Sequence, residues 1–402
     1  MSTDPTWRRD ACAIAGIGTT AFSKDSGVSV TALAVEAAAA ALEDAGLTPD
    51  DVDGVVRNDM DLVSCAALAD GLGVPHLTYW GEAGPGGSGP AAMVAQAVAA
   101  IMSGQATTVV VFRSLNGRSG RRFGLSPVVT PEVGGNETFE EFFGPYGLLS
   151  SGQYFALMAQ RYMTETGLTS EQLAQIALVT RKRANANPAA QMYDRTMTLD
   201  DYFDSRMLSS PLRLFDYCLE TDGAAAVVVT TAERAKDLRQ TPALIRSVAM
   251  STCRHPQPGL MYPTLMREDI TALPSRECQD TLYNRAGLGP ADVDVAQIYD
   301  CYSITALIQL EDYGFCKRGD TGDFLAEGQI DLGGAIPINT SGGHMSEGYI
   351  HGMNHVVEGV RQIRGTSTSQ VEGAQVSLVT SAPPPAASAL ILVAAGAPRQ
   401  PR

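Results

Sequence analysis

After a polar start the chain runs into a short apolar stretch, ACAIAGIG (11–18), that ends in glycine where a turn must follow. A continuous apolar run of this length predicts a buried strand. A polar loop comes next. Ser29 or Thr31 then offers a cap for a helix through TALAVEAAAAALEDAG (31–46), with Gly46 placed to close it. LTPDDVDGVV (47–56) supplies a turn and the start of a second strand. Further along, GPAAMVAQAVAAIMSG (89–104) reads as an alanine-rich buried helix ended by Gly104, and TTVVVFRS (107–114) as a central strand of β-branched residues. GAAAVVVTTAERAKDL (223–238) reads as strand then helix, and SLVTSAPPPAASALILVA (377–394) as two strands joined by a turn. This strand–helix–strand rhythm belongs to the α/β class.

The rhythm is duplicated. AGLTPDDVD (45–53) and AGLGPADVD (286–294) share Ala-Gly-Leu-x-Pro-x-Asp-Val-Asp, each with a helical stretch before it and an apolar segment after it. A match at so long a period predicts two related halves rather than a solenoid. We place them at 1–240 and 241–402. Residues 115–215 differ in composition, with NGRSGRRFG, GGNETFEEFFGPYG and many aromatics but no clean strand rhythm. They predict an insertion over the α/β core, which either forms a lid or substrate pocket or is a purely structural excursion.

Composition narrows the function. A net charge of −15 lacks the basic face that nucleic acid requires. No run approaches the length of a membrane span, since TALAVEAAAAAL is short and interrupted by Glu36. MSTDPTWRRD lacks the apolar core of a signal peptide, so the expected compartment is the cytoplasm. Seven scattered cysteines (12, 65, 218, 253, 278, 301, 316) and five histidines show neither CxxC nor zinc-type spacing, so neither a disulfide framework nor a metal site is expected.

The candidate chemistry lies in NTSGGHMSEGYIHGMNH (339–355). A polar loop this rich in glycine (Gly342, Gly343, Gly348, Gly352) predicts backbone held close to a ligand. With IYDCYS (298–303) and EAGPGGSGPAAMVAQAVAAIMSG (82–104), it resembles the motif set of the thiolase superfamily. The likeness is to the sterol-carrier-protein-type thiolases and the lipid-transfer-protein-like aldolases. Residues 82–104 resemble the segment carrying the nucleophilic cysteine, 298–303 the His-Asp-Cys-Phe motif, and 339–352 Asn-Pro-Ser-Gly-Gly followed by Gly-His-Pro-x-Gly. The resemblance implies two duplicated α/β halves in a five-layered αβαβα core.

The departures carry the functional expectation. Gly86, or a neighbour in GPGGSG if the register shifts, stands where the family has its cysteine, Tyr299 where it has His or Asn, and Tyr349 where it has the catalytic His. Thiolysis needs a thiolate, so the family route is closed to this chain. Ser88 is a candidate replacement nucleophile, or simply a cap, since no His–Asp pair is dedicated to it. A pocket of this kind that has lost its thiol can still stabilise the enolate formed when a bond beside a thioester breaks. Tyrosines stand at these positions in the lipid-transfer-protein-like aldolases of steroid side-chain degradation. The resemblance therefore implies retro-aldol cleavage of a bulky β-hydroxyacyl-CoA, a 17-hydroxy steroid C20-carboxyl thioester giving a 17-ketosteroid and propionyl-CoA. Tyr299 and Tyr349 are the expected acid and base, in either order. Asp300 orients a neighbour, tunes a phenol or caps the strand. His344 and His351 line the pocket or bond a phenol, with Gly342, Gly343 and Gly348 beside them. Cys301 is expected to be buried filler, Tyr302 to point elsewhere, and His355 to pack at the next helix. No cofactor is expected beyond the CoA carried by the substrate. The implied partners are a second copy of the chain and an OB-fold protein or enoyl-CoA hydratase subunit. A non-catalytic acyl-CoA or lipid carrier and an acyltransferase of thiolase fold are the competing readings.

Overall fold

The computed structural model describes residues 7–120, 122, 144–254, 256 and 267–397. The first apolar run is strand β1 (Cys12–Thr19), buried along nearly its whole length. The helix after it, α1 (Val30–Ala45), is capped by the Ser29 side chain accepting from Ala32 N–H, and Gly46 closes it in the left-handed conformation. Its alanines have a specific use. A Cβ on Gly16 or Gly18 of β1 would come within 2.1 Å of the Ala41 or Ala37 carbonyl oxygen. Glycine on the strand and alanine on the helix thus let the two backbones touch, and bulkier residues would pry them apart.

The strands β2 (Gly54–Asn58), β3 (Tyr79–Ala83), β4 (Thr108–Asn116), β7 (Asp222–Thr231), β8 (Ala243–Thr252), β9 (Val295–Gln297), β10 (Val376–Ser381) and β11 (Ala386–Val393) join β1 in the order β3-β2-β4-β7-β1-β8-β11-β10-β9. Apart from β3 at one edge, the order reads the same from either end. In the first half β2 pairs parallel with β4, which pairs antiparallel with β7, and β7 with β1. In the second, β9 pairs parallel with β10, which pairs antiparallel with β11, and β11 with β8. The halves meet at β1 and β8 through only Ala13↔Leu244 and Ile14↔Ala243. Nine strands therefore form one hydrogen-bonded series that narrows at its centre.

The repeated motif shows why the halves agree. Gly46 and Gly287 both end helices with positive φ (74° and 65°). Short helical turns Pro49–Asp51 and Pro290–Asp292 follow each of them. The last aspartate then holds the start of the neighbouring parallel strand. Asp53 accepts from Thr107 and Thr108 N–H at 2.8–2.9 Å, and Asp294 accepts from Gln375 and Val376 N–H at 2.9 Å. Shared turn chemistry and shared topology coincide, as duplication requires.

Helices complete five layers. α1 covers the first half on the outside with Leu33, Ala37 and Leu42. Helix Ser275–Ala286 and helix Ser303–Asp312 cover the second. Between the two halves lie helix Gly89–Met102 and helix Met353–Arg364, whose Met93, Ala97, Val356 and Val360 share one cluster with Val111, Val227 and Leu390. Both central helices start near the same point, and the motif loops converge there.

The segment expected as an irregular insertion is largely helical where it is described. Helices Ser151–Thr166, Ser170–Ala184 and Leu199–Asp204 and a small ribbon of β5 (Met207–Ser209) and β6 (Leu212–Arg213) fill it. Part of the aromatic-rich stretch, 123–143, lies outside the described residues. The helices pack on the second half through Phe155, Tyr162, Leu173 and Ile176. Among the described residues no helix is long and apolar enough to cross a membrane.

Candidate active site

Three chain segments build the site, each tied to the others by backbone. The strand after β9 delivers Tyr299 and Asp300. Ile298 N–H donates to Asn339 Oδ1 at 2.7 Å and Tyr299 N–H to Thr380 Oγ1 at 3.0 Å. The glycine loop makes one wide π turn, Gly343–Glu347, and then presents Tyr349 and His351. The run 217–221 binds both, with Cys218 N–H on Cys301 O and Leu219 N–H on His344 O, each at 2.9 Å. Thr221 Oγ1 accepts from Tyr349 N–H at 2.8 Å. The insertion also grips the loop, with Gln191 N–H on Glu347 O at 2.9 Å and Arg181 Nε–H on Ser346 Oγ at 3.0 Å.

The two expected tyrosines meet. Their hydroxyls share a hydrogen bond of 2.8 Å, across fifty residues of sequence. Tyr299 is buried and Tyr349 half-buried. Burial is the main cause that pushes both phenols well above their ordinary range, and at Tyr349 the Tyr299 hydroxyl and the Arg113 charge work against it. Both are therefore neutral phenols near pH 7. The Tyr299 hydroxyl lies against the turn Gly86–Ser88 that starts the central helix. A Cβ on Gly87 would fall 1.9 Å from it. The motif offers Gly86 or a neighbour in GPGGSG, and Gly87 is the neighbour that meets this hydroxyl.

Asp300 is fully buried and organises the π turn. Its Oδ1 accepts from His344 N–H at 2.9 Å, and the His344 Nδ1 and His355 Nε2 atoms lie 3.2 and 3.4 Å from the same oxygen. The two imidazoles stack face to face, centroids 3.9 Å apart and planes within 2°. An ion in the plane of one ring would lie outside the plane of the other, so this arrangement does not suit joint coordination. His344 also packs edge-on against Tyr299 and Tyr349. Burial, with His355 next to it, holds its imidazole well below the usual histidine range. His355 does begin the next helix, as expected, but its contact with Asp300 makes it part of the site's support.

The glycines let parts of the protein approach the loop closely. A Cβ on Gly343 would lie 2.4 Å from Asp300 Oδ2, one on Gly342 2.7 Å from Ala184 Cβ, and one on Gly348 2.8 Å from the Phe22 ring. Gly342 and Gly343 also hold positive φ (114° and 60°), which favours glycine. Within the protein they admit Asp300, helix Ser170–Ala184 and Phe22.

Gly86 carries no side chain and has φ 46°, its N–H bonded to Asp59 Oδ1 and its carbonyl to Asn58 Nδ2. Ser88 is buried, and its hydroxyl donates to Pro85 O at 2.7 Å, so it closes its own turn. Cys301 is buried filler as expected, its thiol pushed up to about 12 by burial. Cys218 lies beside it, and burial raises its thiol well above the ordinary range. Tyr302 points away to Ser151 Oγ at 2.8 Å and stacks on Phe155. Arg113 on β4 was missed by the motif reading: its Nε–H donates to His351 Nδ1 at 3.2 Å, and Asp61 pairs with it at 3.1 Å. It stands 238 residues from its partner, so no local pattern could reveal it.

Known proteins match this arrangement end to end. Residues 262–395 match the family described as thiolase C-terminal domain-like. The chain is 42% identical over 382 residues to a 17-hydroxy-3-oxo-4-pregnene-20-carboxyl-CoA lyase of Mycobacterium tuberculosis, covering 94% of this chain and 98% of that one. It is 42% identical over 384 residues to a steroid side-chain-cleaving aldolase of Thermomonospora curvata, covering 95% and 97%. The solved Ltp2-ChsH2(DUF35) aldolase superposes with a TM-score of 0.90 at 41% identity, over 96% of this chain and 98% of that one. Human mitochondrial 3-ketoacyl-CoA thiolase, at 14% identity and a TM-score of 0.64, shares the fold, with 96% and 99% covered. A thiolase fold with glycines in this turn thus finds its likeness among lyases over more than nine-tenths of its length, and the chain belongs to the steroid side-chain-cleaving aldolases of the thiolase superfamily, as a carbon–carbon lyase.

Proposed function

We propose that the protein cleaves a 17-hydroxy steroid C20-carboxyl-CoA thioester by retro-aldol reaction, giving a 17-ketosteroid and propionyl-CoA, with Tyr299 and Tyr349 as the proton-transfer pair. The observation that carries this reading is their 2.8 Å hydroxyl–hydroxyl bond at the start of the central helix. The substrate is drawn from the relatives, one of which is named for that thioester.

Retro-aldol cleavage removes a proton from the β-hydroxyl and delivers one to the α-carbon. A lone neutral phenol is a poor base at pH 7. Two phenols in contact avoid the difficulty. As the C17–C20 bond breaks, the hydroxyl proton passes to the Tyr349 oxygen, and the O–H electrons become the new C17 carbonyl. Tyr349 gives its own proton to the Tyr299 oxygen, and Tyr299 gives its proton to the enolate carbon. Protons balance, and neither phenol ends charged. The Arg113 charge favours Tyr349 as the end that begins the transfer. No thiolate and no cofactor enters these steps, since CoA arrives on the substrate.

We further propose that the chain works as a homodimer in complex with a DUF35-type OB-fold protein or a hydratase subunit. The support is the 0.90 superposition on an aldolase solved under the name of such a pair. The test is direct. The protein with its partner is incubated with the hydroxy thioester, and ketone and shortened acyl-CoA are measured. Tyr299→Phe and Tyr349→Phe are each expected to lose about 10²–10⁴-fold in kcat, the range for a positioned acid or base. Variants that cleave at the wild-type rate would remove the tyrosine pair from the mechanism. Tight binding by the wild type with no turnover would favour a carrier, and release of free CoA an acyltransferase.

A further inference from the structure

We infer that Thr380 and Gln309 are the positioning residues of Tyr299, closing a ring of hydrogen bonds that fixes where its hydroxyl delivers the proton. The inference rests on the aldol-cleavage reading and names the side chains, on two other elements, that keep the acid of that reading in place.

The ring forms where the sheet gives out. β9 pairs with β10 through Val295, Ala296 and Gln297, and the chain then leaves the ladder. The next two backbone N–H groups are buried and need other acceptors. Ile298 N–H finds Asn339 Oδ1, and Tyr299 N–H finds Thr380 Oγ1 at 3.0 Å. Thr380 is the residue of β10 just past Val379, the last one paired with β9. Gln309 comes from helix Ser303–Asp312. Its Nε2 donates to Tyr299 O and to Thr305 O, each at 2.8 Å, and its Oε1 accepts from Thr380 Oγ1 at 2.6 Å.

Chemistry fixes every direction in the ring. Carbonyl oxygens only accept, so the Gln309 nitrogen must face Tyr299 O and Thr305 O, and the amide cannot be reversed. Thr380 has a single hydroxyl proton. Its oxygen takes the Tyr299 N–H, and the proton goes to Gln309 Oε1. Thr305 Oγ1 also lies 3.3 Å from Tyr299 O, but Tyr302 O at 2.7 Å is the nearer acceptor for its one proton. Both main-chain groups of Tyr299 are thus engaged by two side chains that bind each other. Thr380, Gln309 and Thr305 are fully buried and Tyr299 nearly so.

Position is what Tyr299 requires. Its hydroxyl must meet Tyr349 at 2.8 Å while lying against the turn Gly86–Ser88. Its ring is bounded by Gly352 on one side and by the edge contact with His344. With the backbone closed by Thr380 and Gln309, little freedom is left. Losing one member of the ring leaves buried groups unpaired at two places, and they regain partners only by moving the Tyr299 backbone. A displacement of about 1 Å at a reacting group costs about 10²-fold in rate. Thr380 and Gln309 act through Tyr299 alone.

Cleavage of the hydroxy thioester by the complex tests the inference. Thr380→Val exchanges the hydroxyl for a methyl of the same shape and is expected to lower kcat about 10²-fold, with KM within about threefold of wild type. Thr380→Ser keeps the hydroxyl and is expected to recover most of the loss. In a Tyr299→Phe background, Thr380→Val is expected to add less than about threefold, because the proton transfer it orients is already gone. A folded Thr380→Val with kcat within about threefold of wild type, or losses that multiply in the double variant, overturns the inference. A wild type that does not cleave, or Tyr299→Phe cleaving at the wild-type rate, overturns the aldol reading and the inference with it. Amide hydrogen exchange of the wild type decides the matter where a variant fails to fold. The Tyr299 amide is expected to exchange only through global unfolding, as slowly as the core of β10. Exchange as fast as that of an exposed loop overturns the inference.

Discussion

Replacing Gly87 by alanine adds one carbon next to the proposed acid and nothing else. Gly87 has no positive φ, so alanine fits its backbone. The new Cβ would stand 1.9 Å from the Tyr299 hydroxyl oxygen, 2.6 Å from its Cζ and 3.0 Å from Pro383 Cγ. An ordinary contact begins at 3.4 Å, so the hydroxyl must retreat by about 1.5 Å, the difference from 1.9 Å. The ring has little room to do so. Its far side lies 3.4 Å from where a Cβ on Gly352 would be, and its backbone is held by Thr380 and Gln309. The retreat must therefore break the 2.8 Å link to Tyr349. A misplacement of about 1 Å costs about 10²-fold in rate, or about 2.7 kcal/mol in the barrier. The overpacking itself costs about 1–3 kcal/mol in stability. Cleavage kinetics and a urea melt on the same preparation separate the two effects. Because Gly87→Ala and Tyr299→Phe disable the same proton transfer, the double variant is expected to be no slower than Tyr299→Phe alone. Gly87→Ala activity within about threefold of wild type, or losses that multiply in the double variant, would refute the placement of Tyr299 at the reacting carbon.

Two further outcomes follow from the buried titratable groups. Burial holds His344 and His351 well below the usual histidine range, aided by His355 at the first and Arg113 at the second. The unfolded chain therefore takes up protons near pH 6.5 that the folded one refuses, so stability is complete above about 6.5 and falls below it, by up to about 1.4 kcal/mol per pH unit for each histidine. His344→Gln is expected to flatten the dependence of the urea midpoint on pH between about 4.5 and 6.5, and an unchanged slope would contradict the burial argument. At Cys218 and Cys301, burial pushes the thiols up, the second to about 12, so neither is a thiolate at neutral pH. Iodoacetamide at about pH 7.5 should leave cleavage intact, and Cys301→Ser should retain turnover; loss of activity in either experiment would return a thiol to the mechanism.

Local chemistry made much of the frame legible. Ser29, Gly46 and Gly104 end helices where capping residues predict ends, and Asp53 and Asp294 recur because the same turn needs the same side chain. The insertion was less legible. Its aromatics masked three helix starts that were nonetheless written in sequence, as the capping pairs Ser150–Gln153, Thr169–Gln172 and Thr198–Asp201. Tyr299 and Tyr349 could be named as site candidates through motif positions, but not their mutual bond. Arg113 was not legible at all, and Gly87 could be placed in its turn but not against Tyr299, because each acts on a residue more than two hundred positions away, a juxtaposition that only the packed halves create.

The same packing explains how one frame can exchange its chemistry without rebuilding. The turn Gly86–Ser88 belongs to the first half, while Tyr299, Asp300 and the glycine loop belong to the second, and the two central helices hold them face to face. Thiolysis loads that junction with a side chain on the turn. Here the turn is bare, and the Tyr299 hydroxyl approaches to where a side chain on Gly87 would begin. A side chain on Gly87 and this phenol thus compete for one volume, so a cysteine placed at Gly87 without removing the phenol would crowd the site. The second change follows from the first. Once no acyl group is held covalently, the enolate must be controlled by groups that stay neutral while passing a proton, and the proposed pair of phenols would meet that requirement where a histidine that charges near neutral pH would not. The loop glycines serve this end indirectly: by admitting Asp300 and Phe22 they fix the backbone that carries Tyr349. The shift from thiol to phenol therefore needs both halves at once, and Gly87 on one half and Tyr299 on the other are the pair whose joint presence marks it.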